Sequence, residues 1–369
     1  MKNFFINFIF VLYILFILCY NRVITRQSMQ GELRTMEKKA TISDVAKLSG
    51  VSVATVSRAL NHPHLLKETT LQRVYRAVQE TGFDNLAPLL RPEDVLPARN
   101  KLFLIVVPHL QNLFYSKVIT GISDSALRQN SQAIIYQTSS TFHPDALFSL
   151  VEALRPSGLV LLDPILDAER LMQIDAIVPT VQCCEFLPDC NVSYVSIDDF
   201  SATKSLIQLM LNKGLRRIAL LNGPQRFKYA RQRKEGYLSA YKDLGLVPEE
   251  SLMVNLPDIS YAAAFSVMTQ LLGCSNPPDS CFAVSDILAA AALKAAKRAG
   301  LRVPEDFRIA GFDNTYLSTL CDPAITTVSQ PGYQLGFVAG ELLMEKIANP
   351  EAPPSQILLD TELIIRDSL

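Results

Sequence analysis

The 369-residue sequence contains no tryptophan and only four histidines: His62, His64, His109 and His143. None of the histidines has metal-ligand spacing or an evident nucleophile as a partner. No Gly-x-Gly-x-x-Gly follows the first strand-like run, and no P-loop occurs anywhere in the chain. These absences argue against a metalloenzyme, a triad hydrolase and a nucleotide-dependent enzyme. We therefore expect a protein that is not an enzyme and that needs neither a cofactor nor a metal.

Paired Cys-x-x-Cys motifs are also missing, which argues against a zinc site or a redox motif. The seven cysteines are Cys19, Cys183, Cys184, Cys190, Cys274, Cys281 and Cys321. Their odd number and spacing favour reduced thiols in a cytoplasmic protein. Cys183 and Cys184 are adjacent in an apparent strand, where successive side chains face opposite ways. The sequence thus predicts that these two thiols point apart.

The chain carries little net charge, −1 overall, but the charge is unevenly distributed. Residues 1–35 and residues 36–91 each carry +3, and residues 92–369 carry −7. A small basic module therefore precedes a large acidic one. The basic module is where a polyanion is expected to bind, and the acidic module suits an uncharged ligand better than a phosphorylated one.

The N-terminal segment Phe4–Tyr20 is almost unbroken hydrocarbon, and its 17 residues are at the lower limit for a membrane span. No small-residue cleavage site follows, which argues against a cleaved signal peptide. If the segment did insert, the following arginines would keep the rest of the chain in the cytoplasm. We favour translation from Met29 or Met36, because Met36 leads directly into a capped domain. Residues 1–35 are then an extension from a wrongly assigned start.

Three short helices are predicted between residues 41 and 81. Thr41, with Asp44 three residues later, caps the first helix, and Gly50 ends it. Ser52 caps a second helix that runs to about Leu60. The third extends roughly from residue 68 to residue 81. Three such helices around one small core form an independent module.

The second helix carries small or hydrogen-bonding side chains that are not needed for packing: Val53, Ala54, Thr55, Ser57 and Arg58. In a helix-turn-helix this end enters the major groove, where arginine binds guanine or phosphate and small apolar groups contact thymine methyls. The alternative is an ordinary helical hairpin with a solvated polar face.

The segment TISDVAKLSGVSVATVSRALN, residues 41–61, resembles the headpiece signature of the LacI/GalR family of bacterial transcription repressors, T-x-x-D-V-A-x-x-A-G-V-S-x-x-T-V-S-R-x-L-N. Ser49 replaces the usual alanine. The resemblance implies a cytoplasmic homodimeric repressor that binds pseudo-palindromic operator DNA. The implied DNA-binding residues are Thr41, Ser52, Val53, Ala54, Thr55, Ser57, Arg58 and Asn61.

The family's hinge pattern, P-N-x-x-A-R-x-L, is missing after the headpiece. Pro88 and Pro92 stand there instead, and proline inside so short a helix costs about 3 kcal/mol. We therefore predict that residues 86–100 form a flexible tether and not a hinge helix that inserts a leucine into the minor groove.

Beyond Lys101 the chain alternates apolar strand runs with helix-length segments, which is typical of parallel α/β sheets. The predicted strands are Leu102–Val107, Ala133–Gln137, Gly158–Leu162, Val192–Ile197, Arg217–Leu221, Cys281–Val284 and Arg308–Gly311. About 270 residues are too many for one sheet, so two lobes with a cleft are expected. The segment resembles the periplasmic-binding-protein-like effector core of the same family. The predicted fold is therefore an all-α helix-turn-helix headpiece (36–85), a tether (86–100) and a two-lobed α/β core for effector binding and dimerisation (101–369).

The resemblance also implies the effector contacts. The aromatic pair after the first strand is Phe114 and Tyr115, the arginine before Gly236-Tyr237 is Arg233, and the aspartate of the strand-end Ser-Asp motif is Asp286. Further positions at the edge of the cleft are Asp198, Asp313 and Gln330. Asp198 and Asp286 could instead cap helices at strand–helix junctions.

Several segments resemble the cytidine-responsive members of the family more than the sugar-responsive ones. They include Glu185-Phe-Leu-Pro, Tyr194-Val-Ser-Ile-Asp-Asp, Gly311-Phe-Asp-Asn and the C-terminal Thr361-Glu-Leu-Ile-Ile-Arg-Asp-Ser. This resemblance implies a pyrimidine nucleoside, cytidine, as inducer, and joint action with the cyclic-AMP receptor protein on genes of nucleoside uptake and catabolism. The first alternative is a repressor that responds to a sugar or a sugar acid. A membrane-tethered solute-binding protein is the remote alternative.

Overall fold

The computed structural model describes residues 41–61, 68–81, 102–138 and 143–369. The chain divides into two compact units, Met1–Ala98 and Arg99–Leu369. The predicted extension (1–35) and tether (86–100) lie outside the described residues. Within the described part of the chain, no helix is long and apolar enough to cross a membrane.

The first unit contains the three expected helices, α1 (Ile42–Ser49), α2 (Val53–Asn61) and α3 (Glu68–Thr81). At the start of α1 the Asp44 carboxylate accepts hydrogen bonds from the Thr41 backbone N–H (2.8 Å) and hydroxyl (2.7 Å). Gly50 ends α1 with φ +66°, a conformation that glycine adopts without steric cost. Ser52 Oγ accepts from the Thr55 N–H at 3.1 Å, which caps α2.

The core of this unit is small, and its fully buried apolar side chains are Val45, Ala46, Val56, Ala59, Val74 and Ala77. Arg73 on α3 ties the helices together, because its guanidinium donates to the carbonyl oxygens of Ser49 (2.7 Å) and Gly50 (3.2 Å) at the end of α1. These two hydrogen bonds thus fix the turn between α1 and α2 against α3.

The second unit contains two six-stranded sheets, which define a first and a second lobe. The strands of the first lobe are β1 (Leu102–Val107), β2 (Gln132–Gln137), β3 (Gly158–Leu161), β4 (Thr180–Cys183), β5 (Tyr194–Ile197) and β11 (Gln356–Leu359). Those of the second lobe are β6 (Ile218–Asn222), β7 (Met253–Asn255), β8 (Ser280–Ala283), β9 (Arg308–Asp313), β10 (Thr326–Ser329) and β12 (Glu362–Ile364). The spatial orders are β11-β5-β4-β3-β1-β2 and β12-β10-β9-β8-β6-β7. Every strand pair is parallel except the antiparallel β10–β12 pair.

Helices flank both sheets. They are α4 (Leu113–Arg128), α5 (Pro144–Leu154), α6 (Ala168–Ile177), α7 (Asp199–Asn212), α8 (Lys228–Asp243), α9 (Tyr261–Leu272), α10 (Asp286–Arg298), α11 (Tyr316–Leu320) and α12 (Gly332–Ala348). Because α7 packs on α8 and α12 packs on α4, the chain changes lobes between β5 and α7, between β10 and α12, and between β11 and β12. Three crossings on one side leave a cleft at the carboxyl ends of the strands.

The seven predicted strands are all present, with ends that differ by one or two residues. Of the five further strands, β4 was indicated only as an apparent strand around Cys183 and Cys184, and β7, β10, β11 and β12 were not expected. They are only three or four residues long, and β11 and β12 are edge strands with half-exposed alternating side chains, so they form no continuous apolar run. Sheet edges of this kind are specified by their neighbours and not by local sequence.

Helices α4 and α12 approach each other closely in the first lobe because both carry glycine at their contact. A Cβ atom added at Gly121 would overlap with the Tyr333 carbonyl oxygen, and one added at Gly336 would overlap with that of Val118. Since backbone atoms cannot give way as a flexible side chain can, the packing of these helices depends on the two glycines.

We expect Gly121→Ala to destabilise the core by about 2 kcal/mol or more, because the added methyl group must separate two helix backbones. Urea unfolding followed by circular dichroism measures the effect. Gly273→Ala is the matched control, since its added Cβ meets nothing closer than 3.4 Å, and it should change stability by less than about 1 kcal/mol. Equal effects of the two substitutions would contradict this account of the helix packing.

Candidate functional site

The cleft between the lobes contains about 400 Å³ of space free of protein atoms, part of which is open to solvent. It lies at the carboxyl ends of the strands, where α/β folds bind ligands. Residues from both lobes line it: Asn112, Phe114, Tyr115, Cys184, Glu185, Asp199, Tyr229, Arg233, Ile259, Val284, Ser285, Asp313 and Gln330. Five of the seven predicted effector contacts are therefore in this lining, and Asp198 and Asp286 are not.

An aromatic pair at the start of α4 forms one wall. The rings of Phe114 and Tyr115 are 5.6 Å apart between centroids and tilted by 58°. Asn112 Oδ1 accepts from the Phe114 N–H at 3.1 Å and caps the helix. This cap fixes the aromatic pair near the carboxyl end of β1. Both rings are nearly buried and line the cleft, so either ring can pack against a planar ligand.

Asp199 binds the buried cationic side chains at the base of the cleft. Its carboxylate accepts from Lys228 Nζ (2.8 Å) and from Arg233 Nη2 (2.7 Å), and all three side chains are almost completely buried. Burial would raise the pKa of Asp199, but Arg233 and Lys228 outweigh it and hold that pKa below its ordinary value. Asp199 is therefore ionised at neutral pH, and it partly compensates the charge of two cations that would otherwise be buried without a partner.

Arg233 uses most of its donors inside the protein. Its Nε donates to Asp199 and its Nη1 donates to the Val284 carbonyl oxygen. The guanidinium also lies 3.5 Å from the ring centroid of Phe312. A guanidinium held this rigidly can offer a ligand only the N–H groups that remain, in a fixed direction.

Asp313 has an unusual conformation and protonation state. Its φ is +107°, and its carboxylate accepts from Gln330 Nε2 at 2.7 Å. Burial raises its pKa to about 8, although the nearby Arg233 opposes this. At neutral pH most of the population carries a proton, so Asp313 can donate a hydrogen bond as well as accept one.

Glu185 connects the lobes. It follows β4 in the first lobe, and its carboxylate accepts from the backbone N–H groups of Lys228 and Tyr229 at the N-terminus of α8 in the second lobe. Burial raises its pKa to about 7, against the opposing effect of Lys228. Next to it, Asp163 of the first lobe accepts from Arg226 Nη1 at 3.1 Å. We call these two contacts the clasp.

The two predicted contacts outside the lining have other partners. Asp198 is exposed and caps α7, since its Oδ1 accepts from the Ser201 N–H at 2.9 Å. Asp286 is fully buried behind the cleft and accepts from Thr315 N–H (2.6 Å) and from Thr327 Oγ1 (2.7 Å). Burial raises the pKa of Asp286 to about 6. The helix-cap alternative therefore describes Asp198, whereas Asp286 holds the β9–α11 turn to β10.

Sequence reasoning missed Asp199, Glu185, Lys228 and Tyr229. The Asp198-Asp199 doublet showed that one carboxylate would cap α7, but it gave no sign that the other would turn into the cleft. Glu185 and Lys228 are charged residues that become buried only because they meet across the two lobes. The position of Glu185, two residues beyond the end of β4, was the only local signal.

In the first unit, the start of α2 faces solvent. Thr41, Ser52, Val53 and Ala54 are exposed, and Thr55 and Ser57 are half-buried. Arg58 and Asn61 lie on α2, but their side chains are outside the described set. Ser52, Val53 and Ala54 occupy the helix end that enters the major groove in helix-turn-helix proteins, whereas Thr41 lies at the start of α1.

Comparison with known proteins agrees with the division into a helical unit and an α/β unit. A profile described as "Bacterial regulatory proteins, lacI family" matches residues 41–85, and one described as "Periplasmic binding protein-like domain" matches residues 207–369. The HTH-type transcriptional repressor CytR of Escherichia coli K12 is 32% identical over 337 residues, which cover 91% of this chain and 98% of that protein. The chain belongs to the LacI family.

Two further LacI-family comparisons cover nearly the same length. The transcriptional regulator CelR of Thermobifida fusca is 29% identical over 339 residues, 90% of this chain and 98% of CelR. A solved CelR–cellobiose complex superimposes with a TM-score of 0.67 and 28% identity over 89% of this chain and all of that one. The predicted headpiece and two-lobed α/β core are thus confirmed.

Membership of the LacI family also establishes the general function. The chain is a DNA-binding transcription regulator with a small-molecule effector and operator DNA as partners. The family is non-enzymatic and cytoplasmic, in agreement with both expectations.

We expect the stability difference between Glu185→Gln and the wild type to depend on pH. Because the folded-state pKa of Glu185 is raised from 4.5 to about 7, its neutral form is the stabilising one. That contribution is complete below about pH 4.5 and is lost as pH rises through 7. The glutamine amide does not titrate. Across this pH window the free energy of unfolding of the variant should therefore rise, relative to that of the wild type, by on the order of 2–3 kcal/mol.

Thermal unfolding in a pH series measures this difference, with Glu345→Gln, on the exposed side of α12, as the control. A difference between Glu185→Gln and wild type that stays constant from pH 4.5 to 8 would show that Glu185 has an ordinary pKa.

Proposed function

We propose that this LacI-family protein is a repressor that a pyrimidine nucleoside, cytidine, releases from its operator. The observation that carries the proposal is the nearly buried aromatic pair, Phe114 and Tyr115, in a cleft whose two cations are already paired with a carboxylate. A planar base can stack on these rings, and a ribose can occupy the polar remainder of the cleft.

The charges of the cleft favour an uncharged ligand. Lys228 and Arg233 are both paired with Asp199, and Asp313 and Glu185 add two further acids, one of which is largely protonated at neutral pH. Both cations already donate to Asp199, so neither is free to turn towards a phosphate. The net charge of −7 on residues 92–369 acts in the same direction at longer range.

Hydroxyl groups of a ligand would find partners in the same cleft. Ser285 Oγ is buried in the lining without a hydrogen-bond partner in the described structure. Gln330, in the segment that connects β10 to α12, supplies one amide group to the cleft, and Asn112, in the β1–α4 turn, supplies another. A buried hydroxyl without a partner is costly, so a ligand that satisfies it gains affinity.

The sugar-responsive alternative has support of its own. CelR, with 29% identity, has been solved with cellobiose, and a sugar would also use polar groups of this kind. An aromatic pair binds the apolar face of a sugar ring as well as a base. The two candidates are therefore separated by which ligands the wild-type protein binds.

We also propose that the repressor is a homodimer, so that two headpieces read a pseudo-palindromic operator. The edge strand β2 supports this, because it is open on one side and exposes Ile134 and Ile135 by 41% and 42%. An exposed apolar edge is a natural site for self-association. Joint action with the cyclic-AMP receptor protein stays a prediction.

Release of the operator requires that the ligand bind the two states of the core with different affinities, by about 1–3 kcal/mol in typical cases. The clasp supplies a place where they can differ, since Glu185 and Asp163 of the first lobe contact the second lobe and an opening of the cleft would break these contacts. A ligand that changes the closure therefore changes how the two effector cores present their headpieces.

For the effector, we expect Phe114→Leu to weaken cytidine binding about tenfold, because stacking on the base is lost. The affinity for methyl β-ribofuranoside, which has no base, should stay unchanged. Isothermal titration calorimetry measures both, with Phe265→Leu on the distant helix α9 as the control. If the wild type binds cellobiose or glucose but no nucleoside, the sugar alternative replaces cytidine.

For the operator, we expect Arg58→Ala to lower the affinity by about tenfold to a hundredfold, because a fork of donors to a base edge is removed. Fluorescence anisotropy with a duplex selected from a random pool measures this, and the endpoint should show two chains per pseudo-palindrome. Arg76→Ala on α3 is the control. Unchanged binding by Arg58→Ala would contradict the proposed DNA contact of α2. One chain per duplex would contradict the dimer.

A further inference from the structure

Cys183 and Cys184 do not point apart as the sequence predicted. Their Sγ atoms are 3.7 Å apart. The reason is the backbone of Cys184, whose φ of +69° takes it out of the extended conformation at the end of β4. The usual alternation of strand side chains therefore stops at Cys183, and both thiols lie on the same side.

The pair is placed at the wall of the effector cleft. Cys184 is half-buried and belongs to the cleft lining, next to Glu185. Cys183 is fully buried, and its thiol donates to the Leu335 carbonyl oxygen on α12 at 3.7 Å. One thiol is thus open to the cleft, and the second lies directly behind it. A left-handed conformation at a residue other than glycine is costly, and such positions concentrate at functional sites.

A direct disulfide does not suit this geometry. Adjacent Cα atoms are about 3.8 Å apart, whereas disulfides usually need about 4.4–6.8 Å. A bridging atom suits it better, because two bonds of about 2.3 Å to one atom hold their sulfur atoms about 3.3 Å apart at a right angle and about 3.8 Å apart at the tetrahedral angle. The observed separation of 3.7 Å lies within this range, and a pyramidal centre would draw the two thiols closer by a few tenths of an ångström.

The ligand that fits needs two sulfur atoms and no further protein donor. Tetrahedral zinc takes four ligands, but the described residues contain no group of three or more His, Cys, Asp or Glu side chains that could hold a metal ion. A trivalent arsenic atom with one organic substituent needs only two thiols. The hydrogen bond to Cys183, together with burial, raises the pKa of Cys184, so Cys184 is a neutral thiol whose proton leaves in the condensation.

We propose that Cys183 and Cys184 form a bidentate capture site for monosubstituted trivalent arsenicals at the wall of the effector cleft. With phenylarsine oxide the two S–H bonds and the As=O bond break, two As–S bonds form, and the oxygen leaves with both protons as one water molecule. Arsenic stays trivalent, so no oxidant or reductant takes part. The substituent on arsenic is directed into the cleft, since Cys184 is the thiol exposed there. This site is independent of the identity of the effector.

The test uses the reduced full-length chain with one equivalent of phenylarsine oxide, followed by intact mass spectrometry. The wild type should gain one phenylarsine group that resists excess 2-mercaptoethanol and is released by dithiothreitol. Cys184→Ser should be at least about a hundredfold less resistant to the monothiol, because one-point attachment lacks the effective concentration of the second thiol. Cys274→Ser removes an exposed thiol outside the cleft and should behave as the wild type.

Two results would overturn the proposal: a wild-type adduct that 2-mercaptoethanol removes, or a monothiol-resistant adduct that persists in Cys184→Ser. Cys183→Ala gives a second, independent test of two-point attachment, and circular dichroism verifies that each variant is folded. Loss of the adduct in Cys274→Ser would place the captured arsenic elsewhere and would equally refute the site.

Discussion

The effector core depends on one buried carboxylate. Asp199 stands where the chain passes from the first lobe to the second, and it holds Lys228 and Arg233, both on α8, within hydrogen-bond distance. Lys228 in turn donates to Ser196 Oγ in the strand just before the crossing. Without Asp199, two cations would be buried unpaired, at a cost of several kcal/mol. The same carboxylate therefore fixes the floor of the cleft and the way in which the lobes are joined.

Around this centre the lobes are connected by contacts that can change. The clasp consists of carboxylates from the first lobe, Glu185 and Asp163, on the N-terminal region of α8 in the second lobe. A carboxylate at a helix N-terminus is favourable because of the unpaired N–H groups there, yet burial opposes its ionisation. The balance between these effects is close to even at neutral pH. Such a contact can therefore be made or broken by the modest free energy of ligand binding.

Prediction from sequence worked best where structure is local. The headpiece helices follow from caps and a glycine, namely Thr41 with Asp44, Ser52 and Gly50, and all of these act within a few residues of their position. The apolar core strands were found because a buried parallel strand is a continuous apolar run. The cleft was found only partly. The residues at strand ends were located, but which of Asp198 and Asp199 turns inward depends on partners in the other lobe.

The sequence by itself determined the family, the order of the two modules, their opposite charges and the aromatic pair of the cleft, because motifs, composition and periodicity are local properties. The tertiary structure alone decided that Asp286 is sequestered by Thr315 and Thr327, that Glu185 reaches α8, and that the thiols of Cys183 and Cys184 meet. Each of these outcomes requires either two segments distant in sequence or a backbone angle that neighbouring residues do not encode. Burial in a shared interior, and not residue type, gave these side chains their partners and their pKa values.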